Sequence, residues 1–257
     1  MNTAEFLTSP LLSRNGFRHA FFTRNGGVST GPFDSLSFSV TVGDHPDNVR
    51  ENLARAARAL DIDPEKLFLL SQVHGREFHR VDVHSRRDDL IRTDGDALVS
   101  GDPAVGCAVR SADCIPVLIG DRRSGGVAAV HAGWRGVVSG AVASAVTGLS
   151  GSPPDLVAAI GPHISAAAFE VSEDVAAQLV ACSPDPTVAV RGSGARPHID
   201  LRRLVRAQLV ALGLGADGID DVGGCTVLDP TRFFSFRRDG ARSGRHLSAI
   251  VARSLHA

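Results

Sequence analysis

Two short apolar runs, Ile115 to Ile119 and Val127 to His131, constrain this chain most, because each has strand length and each adjoins a side chain that carries chemistry. Cys114 stands immediately before the first, and His131 closes the second at the head of His131-Ala132-Gly133-Trp134-Arg135-Gly136. Upstream, Leu67 to Val73 runs into Gln72-Val73-His74-Gly75. The ends of strands beside Gly or polar residues are where chains turn and sites are built. One thiolate and two neutral imidazoles hold Zn²⁺ tetrahedrally with the fourth position open, the arrangement of a catalytic zinc. The chain has no CxxC or HExxH, so only a fold can bring such distant donors together. Taken singly, Cys114 reads as well as a small buried hydrophobe, and His74 and His131 as core histidines.

Around these runs the pattern alternates between strands and helices without repeats. Asp44-His45-Pro46-Asp47 opens a helix whose Val49, Leu53, Ala56 and Leu60 form one apolar stripe. Strands are expected at Phe78 to Val83, Ala97 to Ser100 and Gly106 to Arg110, beside the three runs above. Val137 to Leu149 reads as a helix of small residues, putting the Gly133–Gly136 turn at a helix N-terminus, a place that favours anions. Further helices begin near Ser172 and at Asp200, the latter running to Leu212 before Gly213. Ser183 to Pro197, with three prolines and two glycines, reads as a surface loop. Periodicity by itself yields a mixed α and β chain, and its 257 residues fit one domain, 1–257.

Composition narrows the function classes. A net charge of -1 gives no electrostatic reason to expect nucleic acid or an anionic membrane as partner. No apolar segment approaches the roughly 20 residues that span a bilayer, and no basic head with an apolar run opens the chain. Cys107, Cys114, Cys182 and Cys225 lie in dissimilar settings of a chain too large to need a disulfide framework, so reduced thiols and a cytoplasmic location are expected.

The motifs line up with a known family almost end to end. They run from His19-Ala20-Phe21-Phe22-Thr23-Arg24-Asn25-Gly26-Gly27-Val28-Ser29 through Val42-Gly43-Asp44, Gln72-Val73-His74-Gly75, Asp96-Ala97-Leu98-Val99, Ala112-Asp113-Cys114 and His131 to Gly136. They continue at Ile160-Gly161-Pro162, Phe169-Glu170-Val171, Cys225-Thr226, Phe233 to Arg238 and Gly244-Arg245. In these the chain resembles the bacterial multi-copper polyphenol oxidase or laccase-domain family, also called peptidoglycan editing factor, relatives of a human purine nucleoside phosphorylase of macrophages. The resemblance implies a layered α/β (α+β) sandwich with mixed sheets inside and helices outside, related to the cysteine deamidase domain of necrotizing toxins. It also implies metal ligation by His74, Cys114 and His131.

Three chemistries fit that centre. The resemblance implies phosphorolysis of adenosine, inosine or S-methyl-5'-thioadenosine, with adenosine deamination as companion, so nucleoside and phosphate are the expected small-molecule partners of a monomer or homodimer. A copper-dependent phenol oxidase, with Cu²⁺ in place of Zn²⁺, is the second; the only Met is the initiator, and no His-x-His pair occurs among ten histidines. A peptidoglycan-precursor hydrolase or amidase, with Cys114 as nucleophile and His131 as base or with zinc, is the third.

Other residues carry two readings each. Asp113 orients a ligand imidazole or accepts a substrate proton, or else satisfies its own turn. Arg135 binds phosphate or carboxylate, or makes a surface ion pair. Trp134 stacks on a purine, or anchors packing. Glu170, Cys225 and Arg237 are placed near substrate by resemblance. The chain departs from the family pattern at Ser37, where Asn is usual, and at Leu53, where Arg is usual. The lost guanidinium implies weaker phosphate binding, with Arg24 and Arg50 as substitutes.

Overall fold

The computed structural model describes residues 3–190 and 196–254. Two mixed sheets stack face to face. The first contains β1 (Phe6–Leu7), β2 (Arg18–Phe22), β3 (Leu67–Phe68), β6 (Gly106–Ser111) and β13 (His246–Val251), in the order β1-β2-β13-β6-β3. The second holds β4 (Phe78–Arg80), β5 (Ala97–Ser100), β7 (Ile115–Asp121), β8 (Val127–Ala132), β9 (Leu156–Ile160) and β12 (Ile219–Asp221), in the order β12-β9-β7-β8-β5-β4. A small hairpin, β10 (Ala189–Val190) with β11 (His198–Ile199), stands apart from both.

Strand alternation explains why the central runs are apolar throughout. Leu118 and Ala129 face the first sheet, where they meet Phe21, Cys107, Val109 and Ile250. Their neighbours Val117, Ile119, Ala128 and Val130 face the other way, toward helices. A sheet covered on both faces has no polar side to show. Helices α4 (Trp134–Ser139), α5 (Ala141–Thr147), α6 (Glu173–Ala181) and α7 (Leu201–Ala211) supply that outer cover through Val137, Val142, Ala145, Leu179 and Leu204. On the far side of the first sheet, α2 (Pro46–Ala59) lays Ala56 and Ala57 on Ala20, Phe22, Ala108 and Ala249. The remaining helices, α1 (Pro10–Arg14), α3 (Arg87–Leu90) and α8 (Phe236–Asp239), are single turns or little more. The expected sandwich, mixed sheets inside and helices outside, is therefore present.

Several expectations shift in detail. The helix expected from Val137 starts at Trp134 after the Gly133 cap and is cut in two at Gly140, whose φ of 88° is left-handed and terminates α4. The strand expected from Leu67 to Val73 stops at Phe68, because Gln72 onward turns back to build the site. The loop expected over 183–197 contains β10 and lies partly outside the described residues. In α2, Leu53 is partly buried against the cluster of Leu36 and Ala56, while the polar Asn52 is wholly buried. Asn52 donates to Ser29 Oγ at 2.8 Å and to the Ser37 carbonyl at 2.8 Å, and accepts from the Val28 N–H at 3.0 Å, so it pins the N-terminal loop to α2.

Candidate metal centre and its cleft

Register brings the donors together. Pro116 pairs with His131 across β7 and β8, which sets Cys114, just before β7, beside the end of β8. His74 arrives on the turn that follows β3. The ligand atoms of His74, Cys114 and His131 all lie within 4.8 Å of one another, and Cys114 Sγ is 3.8 Å from His74 Nε2. Among the described residues this is the only group of three or more potential metal donors.

A residue that the sequence reading did not single out, Asp96, organises the centre. Its carboxylate is fully buried and meets His131 Nδ1 at 2.7 Å, leaving Nε2 for the site. The same carboxylate accepts N–H bonds from Val73 (3.2 Å), His74 (3.0 Å) and Gly75 (2.6 Å), so one side chain folds the His74 turn and orients the opposing imidazole. Burial pushes Asp96 upward, but the bonds from His131, Gly75 and Val73 outweigh it and hold the carboxyl below its ordinary range. The available signal was positional: a carboxylate at the head of the apolar strand Ala97–Ser100.

Backbone conformation at the centre is unusual. His74 has φ 60° and Asp113 has φ 93°, left-handed values that non-glycine residues adopt at a cost and that collect at functional sites. Asp113 is held there by two contacts, Thr226 Oγ1 donating to Oδ1 at 2.6 Å and the Arg237 N–H donating to Oδ2 at 2.6 Å. Its oxygens are thus taken by its bracing partners, and the imidazole-orienting role expected of it belongs to Asp96. Gly133 is required by space: a Cβ there would stand 2.6 Å from His74 Cδ2 and 3.1 Å from Cys114 Sγ.

The donor set suits a metal ion in chemistry as well as position. Burial raises the Cys114 thiol, yet the imidazoles of His131 and His74 pull it down to about 6, favouring the thiolate that metals bind. Burial likewise lowers His131, and the charges of Cys114 and Asp96 overcome it and raise the imidazole to about 9. A cation bound here would take the place of the imidazolium proton beside the thiolate.

The centre opens into a cleft of about 550 Å³. Trp134, Phe169 and Phe236 supply aromatic faces, and Arg110, Arg135, Arg237 and Arg245 supply cations. Arg135 lies over the Trp134 ring at 4.5 Å and Arg237 over Phe169 at 5.6 Å. Seven of the expected site residues, His74, Asp113, Cys114, His131, Trp134, Arg135 and Arg237, therefore share one cavity. Glu170 lines an adjoining pocket with Trp134 and Arg237, its carboxylate 3.7 Å from Arg196.

Three other expected residues stand elsewhere. Cys225 lies in a separate pocket with His163, its sulfur accepting the Ser165 N–H at 3.4 Å, and it reaches the cleft only through its neighbour Thr226. Arg24 is committed to the carbonyls of Asp34 and Pro230 and stacks on Phe234. Arg50 is exposed on α2 and bonds Asp47 at 2.7 Å. Neither Arg24 nor Arg50 lines the cleft; the arginines the fold places there are Arg110, Arg135, Arg237 and Arg245, of which the sequence had not marked Arg110 and Arg245.

Two packed mixed sheets under helices, with a three-donor centre opening into an aromatic and cationic cleft, define an α/β protein built around a candidate metal centre. Comparison with known proteins places the chain within that class. The sequence model of the family described as multi-copper polyphenol oxidoreductase laccase matches residues 18–253, and the chain belongs to that family. Among its curated relatives, purine nucleoside phosphorylase YfiH of Escherichia coli K12 is 36% identical over 228 residues, covering 89% of this chain and 90% of the relative. Purine nucleoside phosphorylase Rv2149c of Mycobacterium tuberculosis H37Rv is 39% identical over 237 residues, 91% of each. In structure the chain is similar to YlmD from Geobacillus stearothermophilus, with a TM-score of 0.88 at 30% identity, over 99% of this chain and 98% of that one. It also matches Neisseria meningitidis NMB0706, with a TM-score of 0.83 at 34% identity, over 99% and 100%. Among the described residues no helix is long and apolar enough to cross a membrane.

Proposed function

We propose that this chain is a zinc-dependent purine nucleoside phosphorylase acting on adenosine, inosine and S-methyl-5'-thioadenosine, with adenosine deamination as a companion reaction. The observation that carries this reading is the joining, in one cleft, of an open His74/Cys114/His131 centre to aromatic and cationic walls. The names of the curated relatives point the same way. In phosphorolysis a phosphate oxygen bonds to C1' of the ribose as the C1'–N9 bond breaks; the electron pair leaves with the purine, which takes up a proton. An ion held by His74, Cys114 and His131 would supply a Lewis acid to the cleft.

The chain's own residues do the positioning. Trp134, Phe169 and Phe236 offer faces on which a purine stacks. Four guanidiniums against the single carboxylate of Asp113 favour the phosphate anion and the charge that develops on the departing base. Asp96 fixes His131 against rotation.

A second reading is favoured by a specific contact: the Cys114 thiol, drawn down to about 6 beside His131, is the nucleophile–imidazole pair of an amide hydrolase such as a peptidoglycan-precursor editing enzyme. Phenol oxidation by several coppers fits less well, since the described residues hold one donor cluster. The deciding experiment is metal analysis of the purified protein combined with assays of adenosine, inosine and methylthioadenosine with and without phosphate. Ribose 1-phosphate or its thio analogue is expected only with phosphate and metal. Full activity after exhaustive chelation favours the cysteine hydrolase, and oxidation of a phenol with all three nucleosides untouched favours the oxidase.

A further inference from the structure

We infer that Arg110 and Arg245, with the hydroxyls of Ser39 and Thr41, form an oxyanion pocket on the cleft wall across from the metal donors. The inference rests on the phosphorylase reading for its choice of orthophosphate as the anion.

The pairing of β6 with β13 builds it. Arg110 stands opposite Leu247, and Arg245 lies two residues before Leu247, so both side chains leave the same face of the sheet as diagonal neighbours. Such neighbours are about 7–8 Å apart at the backbone, within reach of long side chains converging on one ligand. Both arginines line the cleft, as do Ser39 and Thr41, whose hydroxyls are 2.8 Å apart. The Arg245 backbone is fixed on both sides: its N–H donates to Ser37 Oγ at 3.3 Å and its carbonyl accepts from the Phe38 N–H at 3.0 Å.

Charge is the reason to expect a ligand. Arg55, Arg87 and Arg238 each meet a carboxylate of this chain, from Glu51, Glu65 and Asp239. Arg110 instead gives one bond to the Leu70 carbonyl, and Arg245 gives two, to Ser243 and Gly244. Among the described residues neither has a carboxylate within ion-pair distance. Burial and then the nearby Arg245 charge draw the Arg110 guanidinium below its ordinary range, while Arg245, lowered by burial, is drawn partly back by Cys114 and Asp113. A guanidinium offers five N–H donors in a planar fork, and the donors not used on carbonyls are those a tetrahedral oxyanion accepts. An anion between the two would relieve the repulsion; a neutral ligand would not.

The test is calorimetric titration of orthophosphate into the purified, metal-containing protein, its Arg245→Gln and Arg245→Lys variants, and Arg50→Gln as a surface control. Circular dichroism and metal content check each fold. Arg245→Gln is expected to weaken orthophosphate about ten- to a hundredfold, the scale of a lost charge-assisted contact. Arg245→Lys should lose less, and Arg50→Gln should match wild type. Arg245 is chosen over the more deeply buried Arg110, whose replacement risks the fold. A folded, metal-containing Arg245→Gln protein that binds orthophosphate as wild type does overturns the pocket. Inosine 5'-monophosphate, titrated in parallel, separates free phosphate from a phosphoryl group carried on substrate: if it binds through Arg245 while orthophosphate does not bind wild type, the assignment to orthophosphate is overturned. Phosphate binding lost in Arg245→Gln without phosphorolysis of any nucleoside in wild type upholds the pocket and refutes the phosphorylase reading. Phosphorolysis whose phosphate dependence is the same in wild type and Arg245→Gln does the reverse.

Discussion

The two walls of the cleft are built on opposite principles. On the metal wall every donor is braced: Asp96 holds His131 and the His74 turn, Asp113 is clamped by Thr226 and Arg237, and Gly133 leaves room for nothing larger. On the arginine wall the backbone is fixed, and among the described residues neither Arg110 nor Arg245 has a carboxylate within ion-pair distance; Arg245 feels Asp113 and Cys114 only from farther off. A wall that presents one geometry to an ion is made rigid by its neighbours, whereas a wall proposed to attract an anion keeps its guanidiniums out of direct ion pairs. Substitutions should therefore act differently on the two.

The largest effect is expected from Cys114→Ala or His131→Ala, which should reduce bound metal, read by elemental analysis, to background and abolish both nucleoside reactions. Full occupancy in the Cys114→Ala protein would sink the ligand assignment. Asp96→Asn should come next. It keeps the shape but removes the charge that orients His131 and accepts three N–H groups, so metal affinity or activity should fall about 10–100-fold. Wild-type affinity in that variant would mean that the bracing is incidental.

Acid should act from beneath the arginine wall. His246, beside Arg245, is fully enclosed and accepts the Phe234 N–H at 2.9 Å. Burial, assisted by the charges of Arg24, Arg245 and Arg238, depresses it to about 3. It stays neutral in the folded chain while the unfolded chain takes up a proton below about pH 6.5. Its contribution is thus complete above pH 6.5 and declines by about 1.4 kcal/mol per pH unit as pH falls toward 3. His19 and His163, lowered chiefly by burial, act in the same direction. Denaturant midpoints from pH 7 to 4 should fall less steeply for His246→Gln than for wild type, and parallel profiles would show that His246 is not responsible.

The smallest effect should come from a site on neither wall. Leu53→Arg would restore the residue usual in the family, but Leu53 packs against the α2 cluster outside the cleft. Melting should report a loss of about 1 kcal/mol or somewhat more, with phosphate affinity unchanged. A gain in phosphate affinity would revive the missing-anchor idea and weaken the case for Arg110 and Arg245.

Much was legible in the sequence because it was local. The apolar runs at Ala97, Gly106, Ile115 and Val127 became strands where their apolar character and length said they would, and Asp200 capped α7 through the Arg203 N–H. His74, Cys114 and His131 were marked by residue type at strand ends and by the family resemblance, and the fold does bring them together. Three-dimensional pairing decided the rest. Asp96 acquires its role only because β5 lies beside β8, and Arg110 and Arg245 become neighbours only because β6 pairs with β13 across more than a hundred residues of chain. Arg24 and Arg50, equally basic in the sequence, were drawn to carbonyls and to Asp47 instead. Propensity and periodicity act over a few residues, and these fixed the elements and the chemistry available to them. Which charges meet, and which are left to face a ligand, depends on sheet register and burial, which the tertiary structure alone sets.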